Sequence, residues 1–130
     1  MATEILVNDG GAPARILPFT AGEAISAGEV LKASTAADNT CLLATIATAP
    51  VLGVAFTDAA SGEMCSVISG RGVILNIQCT AETAGINLMV DGTAGQLDEW
   101  SDSPLSNQVV ATTLEDTSGD GSGLHRCMLF

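Results

Sequence analysis

A chain of 130 residues with fifteen acidic side chains against four basic ones, net charge −11, repels phosphate backbones and anionic lipid, which argues against nucleic acid and membrane partners. Hydrophobic residues make up 47% of it, yet aromatics only 3% and Tyr is absent, so the core must be assembled from Val, Ile, Leu and Ala. Such a core buries little area per side chain, leaving the single expected domain marginal alone and better served by an assembly.

Mean hydropathy of +0.40 is high for a soluble monomer, but no apolar run nears the roughly 20 residues of a membrane helix. The surplus fits either an Ala-rich core or a large protein–protein interface. The opening Met-Ala-Thr-Glu-Ile-Leu-Val-Asn-Asp has neither the basic nor the sustained apolar stretch of a signal peptide, so cytoplasmic synthesis and reduced cysteines are expected.

Residues 1–20 read as an extended N-terminal arm. Ile5-Leu-Val7 suits a short strand, broken by Asn8-Asp-Gly-Gly-Ala-Pro13. In Arg15-Ile-Leu-Pro-Phe19, Pro18 denies a ladder donor and confines the segment to an edge or an extended run. Such an arm either tethers a neighbouring subunit or packs on its own domain. Ile16, Leu17, Pro18 and Phe19 are therefore candidate contact residues. From Thr20 to Ser34 two short strands flank Ser26-Ala-Gly28, and Cys41-Leu-Leu-Ala-Thr-Ile-Ala47 is a strand or a short buried helix.

Pro50 leads into Gly53-Val-Ala-Phe-Thr-Asp-Ala-Ala-Ser-Gly-Glu-Met-Cys-Ser-Val-Ile68, which reads as a hairpin. Within it Asp58 is expected to bond its own backbone and Gly62 to take a positive φ. Ser-Gly-Arg-Gly72 lacks a following helix and Lys-Ser/Thr, so it is a turn or bulge and no phosphate loop. Val73-Ile-Leu-Asn-Ile-Gln-Cys79 alternates as a strong strand. Leu88-Met-Val90 and Gln96-Leu97 flank Asp91-Gly92, a hairpin signal.

The chain uses one device twice. Ala27-Gly-Glu-Val-Leu31 answers to Ala84-Gly-Ile-Asn-Leu88, and Gly53-Val-Ala-Phe-Thr57 to Val109-Val-Ala-Thr-Thr113. Gly28 and Gly85 are 57 positions apart, Val54 and Val110 56. An internal duplication follows, with residues 21–130 as one β domain, repeat one about 21–79 and repeat two about 80–130. The second copy has the longer turn, Asp116-Thr-Ser-Gly-Asp-Gly-Ser-Gly123. The only Trp, Trp100, lies in the acidic Asp98-Glu-Trp-Ser-Asp102 stretch near Pro104; its ring is either a contact knob or a cap on the barrel end.

Reactive constellations are sparse. His125 stands two residues from Cys127 on one strand face, but nothing supplies an oriented third member, so no catalytic residue is assigned. Cys41, Cys65, Cys79 and Cys127 have no CxxC or His-paired spacing and read as buried thiols, with one or two disulfides as the other possibility. Neither zinc nor another metal is supported. Asp116, Ser118 and Asp120 with Gly121 match the start of a calcium loop, but position twelve is Cys127 and a flexible acidic turn is the simpler reading. Lys32 in Val-Leu-Lys-Ala lacks the flanking methionines of a biotinyl or lipoyl carrier. No cofactor is expected.

The pattern Ala21-Gly-Glu-Ala-Ile25-Ser-Ala-Gly-Glu-Val-Leu-Lys32, then Gly53-Val-Ala-Phe-Thr-Asp-Ala-Ala-Ser-Gly-Glu63, then Gly70-Arg-Gly-Val73, resembles the capsid decoration (cement) proteins of tailed bacteriophages. There an "AGxAIxAGxVV" opening leads to a "GVAxxDAAxGExVxV" hairpin and a shortened second copy. Val109 departs from the pattern, standing where the second copy usually has Gly. The resemblance covers about residues 20–129. It implies an all-β, small β-barrel or β-sandwich fold built from two degenerate repeats, and a homotrimer on the major capsid protein at the outer virion surface. It also implies stabilisation of the expanded shell and no enzymatic activity. The other functional expectation is a carbohydrate- or receptor-binding β module using Trp100 and the Asp116 loop. A thiol hydrolase built on Cys127 and His125 is a third.

Overall fold

Alternation of apolar and polar residues, punctuated by glycine turns, gives strands wherever the chain is regular. The computed structural model describes residues 5, 11–45, 51–90, 92–100 and 109–130. Its elements there are β1 (Arg15–Ala21), β2 (Val30–Ala33), β3 (Thr40–Leu43), β4 (Val51–Ala55), β5 (Met64–Ser69), β6 (Ile74–Cys79), β7 (Asn87–Val90), β8 (Leu97–Glu99), β9 (Ala111–Thr113) and β10 (Gly123–Leu129). The protein is all-β. β1 to β5 close one barrel in the order β1-β3-β2-β4-β5, and β6 to β10 close a second in the order β10-β6-β8-β7-β9. The segment after Thr40, open to helix or strand in the sequence, is a strand.

The two barrels have one topology, with each strand of the first matched by the strand five places later. In both, the first strand pairs antiparallel with the fifth and parallel with the third. Registers match as well: Ile16↔Ile68 corresponds to Ile74↔Met128, Leu31↔Leu43 to Leu88↔Glu99, and Val30↔Val54 to Asn87↔Thr112. Two details correct the sequence reading. The boundary between repeats lies at residues 70–73, because β6 opens the second barrel and does not end the first. The counterpart of Gly53 is Ala111, not Val109, since Gly53 faces Leu31 as Ala111 faces Leu88. A bulge at Leu52 follows in the ladder, where the partner of Leu31 is Gly53 and that of Lys32 is Val51.

Residues 15–20, expected within the arm, belong to β1. Pro18 fits there without breaking the ladder. The Ala21 N–H donates to the Glu63 carbonyl, so alternation puts the bonded positions at odd residues and turns the Pro18 nitrogen away from β5. Ile5 is buried and its carbonyl accepts the Asn76 N–H. The rest of the strand expected over residues 5–7, with Pro50, Asp91 and Pro104, lies outside the described residues. Among the described residues of the connection after β7, Gly95 is left-handed at φ +78°, and the Gln96 N–H returns to the Thr93 carbonyl. Gly62 has the expected positive φ, but Asp58 accepts the Ala27 N–H at 2.7 Å and does not bond its own loop, which is held by the Ile25–Ala59 bridge.

Strand alternation gives each barrel an inner and an outer row, and the outer row decides how the barrels join. Leu31, Ala55 and Val67 point into the first barrel's core. Their neighbours Val30, Val54 and Ile68 point outward, side by side across β2, β4 and β5, and belong to the same buried cluster as Leu75, Ile77, Leu88 and Leu97 of the second barrel. All three outward side chains are fully buried, worth at most about 9 kcal/mol together. The matching row on the second barrel is Asn87, Thr112 and Met128, the first two bonding each other at 2.9 Å.

Backbone contacts lock this junction. The Gly28 carbonyl accepts the Gln78 N–H at 2.8 Å, while Gly95 accepts the Val30 N–H at 2.9 Å and donates to the Ala44 carbonyl at 2.8 Å. A Cβ at Gly28 would collide with the Leu124 side chain. Gly28→Ala is therefore expected to destabilise by about 1–3 kcal/mol beyond Gly62→Ala. Gly62 has nearly the same φ (+89° against +92°) but open space around it, so its substitution costs only the left-handed strain of about 1 kcal/mol. Chemical denaturation of the two variants measures the difference.

Candidate interaction surfaces

The edge of β1 is where the first barrel is least closed. β3 pairs with β1 only at Thr20 and Ala21, so the preceding residues run beyond it. Ile16 is 50% exposed and Leu17 40%, and Pro18 is exposed too. Phe19 is half-buried and leans on the first barrel's core. Beside this edge Pro18, Phe19, Thr20, Asn39 and Met64 line a hollow open to solvent. Met64, opposite Thr20 in the ladder and 64% exposed, is the most exposed large apolar side chain among the described residues. In the sequence its signal is its place directly after a Gly-Glu turn.

Trp100, 37% exposed, follows β8 in the other barrel. Its N–H donates to the Asn87 carbonyl at 2.7 Å. The acidic setting expected around it is present: Asp98 Oδ1 accepts the Glu99 N–H and lies 2.9 Å from the Thr80 hydroxyl, which is 3.0 Å from Glu82 Oε1. Ile16, Leu17, Pro18 and Phe19 are thus gathered on the first barrel and Trp100 stands on the second.

The chemical candidates are engaged elsewhere. The His125 ring reaches the Gly121 carbonyl through Nε2 at 2.9 Å, and the Cys127 thiol lies 3.4 Å from the His125 carbonyl, not its imidazole. The neighbouring Cys79 thiol, with burial, pushes the Cys127 thiol far above its ordinary range, the opposite of an activated nucleophile. Burial and Cys41 push Cys65 up to about 11, and burial raises Cys41. All four cysteines are free and buried. Asp116 Oδ1 accepts the Ser118 N–H at 3.0 Å and the Ser118 hydroxyl at 2.5 Å, bonds that lower its pKa and close the loop on itself. Among the described residues no group of three His, Cys, Asp or Glu could hold a metal ion.

Glu29 stands at the barrel junction, beside Gly95. Burial raises its pKa, with Glu23 and Asp58 adding to the rise, while Glu29 Oε1 accepts the Ser26 N–H at 2.6 Å and opposes it. A raised folded-state pKa gives stability that is complete below the unfolded value near 4.5 and declines as pH rises through the folded value. Glu29→Gln keeps the acceptor without the charge. It is expected to melt no lower than the parent at pH 7, with the gap closing toward pH 4, in paired thermal scans. Burial also makes the four thiols unreactive toward a disulfide reagent until the protein unfolds, when all four titrate; fast labelling of the native protein would contradict their placement.

The chain matches no protein-family model, and no curated protein matches it in sequence. Among solved structures it is similar to the head fiber gp8.5 N base of bacteriophage phi29, with a TM-score of 0.66 at 17% identity. The match covers 91% of this chain and 95% of that one, so both barrels have their counterparts there. At this identity the likeness is one of fold.

Proposed function

We propose that this chain is a structural, non-catalytic decoration protein of a tailed-phage head. It binds the major capsid protein on the outer surface of the virion as a homotrimer and cements the expanded shell. The observation that carries the reading is the fold likeness along nearly the whole chain to a domain of a phage head fiber. The sequence pattern of small residues and turns, Gly53 to Glu63 above all, points the same way. An acidic surface with an apolar edge at Ile16 and Leu17, and thiols unsuited to nucleophilic work, suit gluing better than turnover. Mechanistically, a protein that binds only the expanded lattice stabilises that state by mass action, about 2.7 kcal/mol per site at a hundred times its dissociation constant.

A second reading, a carbohydrate- or receptor-binding module, is favoured by the partly exposed Trp100 beside Asp98 and Glu99. A glycan array separates the two, since binding that disappears in Trp100→Ala supports the module. Cryo-EM of mature heads is expected to show two-barrel density on the shell exterior, and heads lacking the protein should release DNA at a lower temperature. A shell surface without that density sinks the proposal.

A further inference from the structure

The contact that joins the two barrels has two halves, and the duplication supplies each half twice. One half is a connector on the first barrel: the turn at Ala27 and Gly28, then Val30 and Ala44. The other is a socket on the second barrel: Asn76, Gln78, Gly95 and Leu124. Gln78 holds the Gly28 carbonyl, Gly95 sits between the Val30 N–H and the Ala44 carbonyl, and Leu124 packs on Gly28.

The unused halves are both exposed. On the second barrel the connector is repeated as Ala84, Gly85, Asn87 and Trp100. The Trp100 N–H donates to the Asn87 carbonyl just as the Ala44 N–H donates to the Val30 carbonyl. Gly85 has a left-handed φ of +80°, like Gly28, but nothing lies within 4 Å of where its Cβ would be. On the first barrel the socket is repeated as Pro18, Thr20, Asn39 and Met64, the open hollow beside β1. Thr20 faces Met64 as Gln78 faces Leu124, and Asn39, at φ +50°, is left-handed before β3 as Gly95 is before β8.

We infer that copies of this chain associate head to tail, the Gly85–Trp100 connector of one seating in the Pro18–Met64 socket of the next. The hydrogen bonds balance. In the open socket the Thr20 N–H is held by the Asn39 carbonyl. The incoming Gly85 carbonyl takes that N–H, as Gly28 takes Gln78, and frees Asn39 to receive Asn87 as Gly95 receives Val30. Divergence between the copies fits the exposed state each half has between encounters. The Val30 and Val54 row has become Asn87 and Thr112, while Trp100 in the place of Ala44 restores apolar area at the contact. Asn76, whose N–H needs the Ile5 carbonyl, is replaced by Pro18, which has no N–H to cover.

A contact between unlike surfaces closes into a ring or runs on as a filament. The ring of three rests on the trimeric reading above; the contact itself does not. The test mixes two single variants, Met64→Cys and Ala84→Cys, with a short bismaleimide, the native thiols being buried and silent. Protein at about 1 mM populates even a contact with a dissociation constant near that value. The expected result is a crosslink only between unlike variants, with light scattering giving the mass of three copies. Met64→Asp and Trp100→Ala should each weaken association at least tenfold while leaving the melting temperature of dilute protein within a degree or two. Long polymers with the unlike crosslink support the contact and count against the trimer. A trimer that crosslinks Met64→Cys to itself, or not at all, overturns the inference and leaves the trimer standing. A monomer at that concentration overturns both.

Discussion

Everything in this molecule depends on two barrel surfaces approaching until backbone meets backbone. Gly28 and Gly95 make that possible, because any side chain at either would stand in the gap. The apolar row Val30, Val54 and Ile68 then has somewhere to go. Without the second barrel that row would be bare on the outside of the first, and the first barrel's own core is thin, dominated by Ala, Cys and Val with Leu31 its largest fully buried side chain. A chain with 3% aromatics thus gains through a shared core what neither five-stranded barrel holds alone.

That constraint also explains how the two copies diverged. They keep topology and register, but Val30 and Val54 of the first, covered at the junction, are matched on the second by the polar pair Asn87 and Thr112. The large apolar side chains left exposed lie on both barrels, Ile16, Leu17 and Met64 on the first and Trp100, Leu114 and Phe130 on the second. His125 and the Cys79 and Cys127 thiols are used up in packing and local hydrogen bonds.

Much of this was legible from the residues. The alternation in Val73 to Cys79, the positive φ at Gly62 and the pairing of Gly28 with Gly85 are local signals, and local geometry obeys them. Three things were not local. Pro18 reads as confining its segment to an edge or an extended arm, and only the register shows that its nitrogen faces away from β5, so that residues 15–20 join the barrel. The repeat boundary was set by sequence similarity, whereas strand pairing puts β6 in the second barrel. The counterpart of Gly53 in the ladder is two residues from the one that sequence similarity suggests, which no pattern of small residues reveals. Of the exposed side chains, Ile16, Leu17 and Trp100 were legible because large apolar residues beside Pro or acid are conspicuous. Asn39 and Met64 were not, because what joins them is a hollow formed by strands distant in sequence.

Native-state amide hydrogen exchange at Val30, Gln78 and Gly95 tests the shared core most directly, since these N–H groups are the bonds between the barrels. If the barrels fold as one unit, all three exchange only on global unfolding, as slowly as the amides of Leu75 and Ile77 deep in the sheet. Exchange at the rate of an open turn, with the strand amides of either barrel still protected, would mean that the barrels separate freely and that the junction does not hold the molecule together.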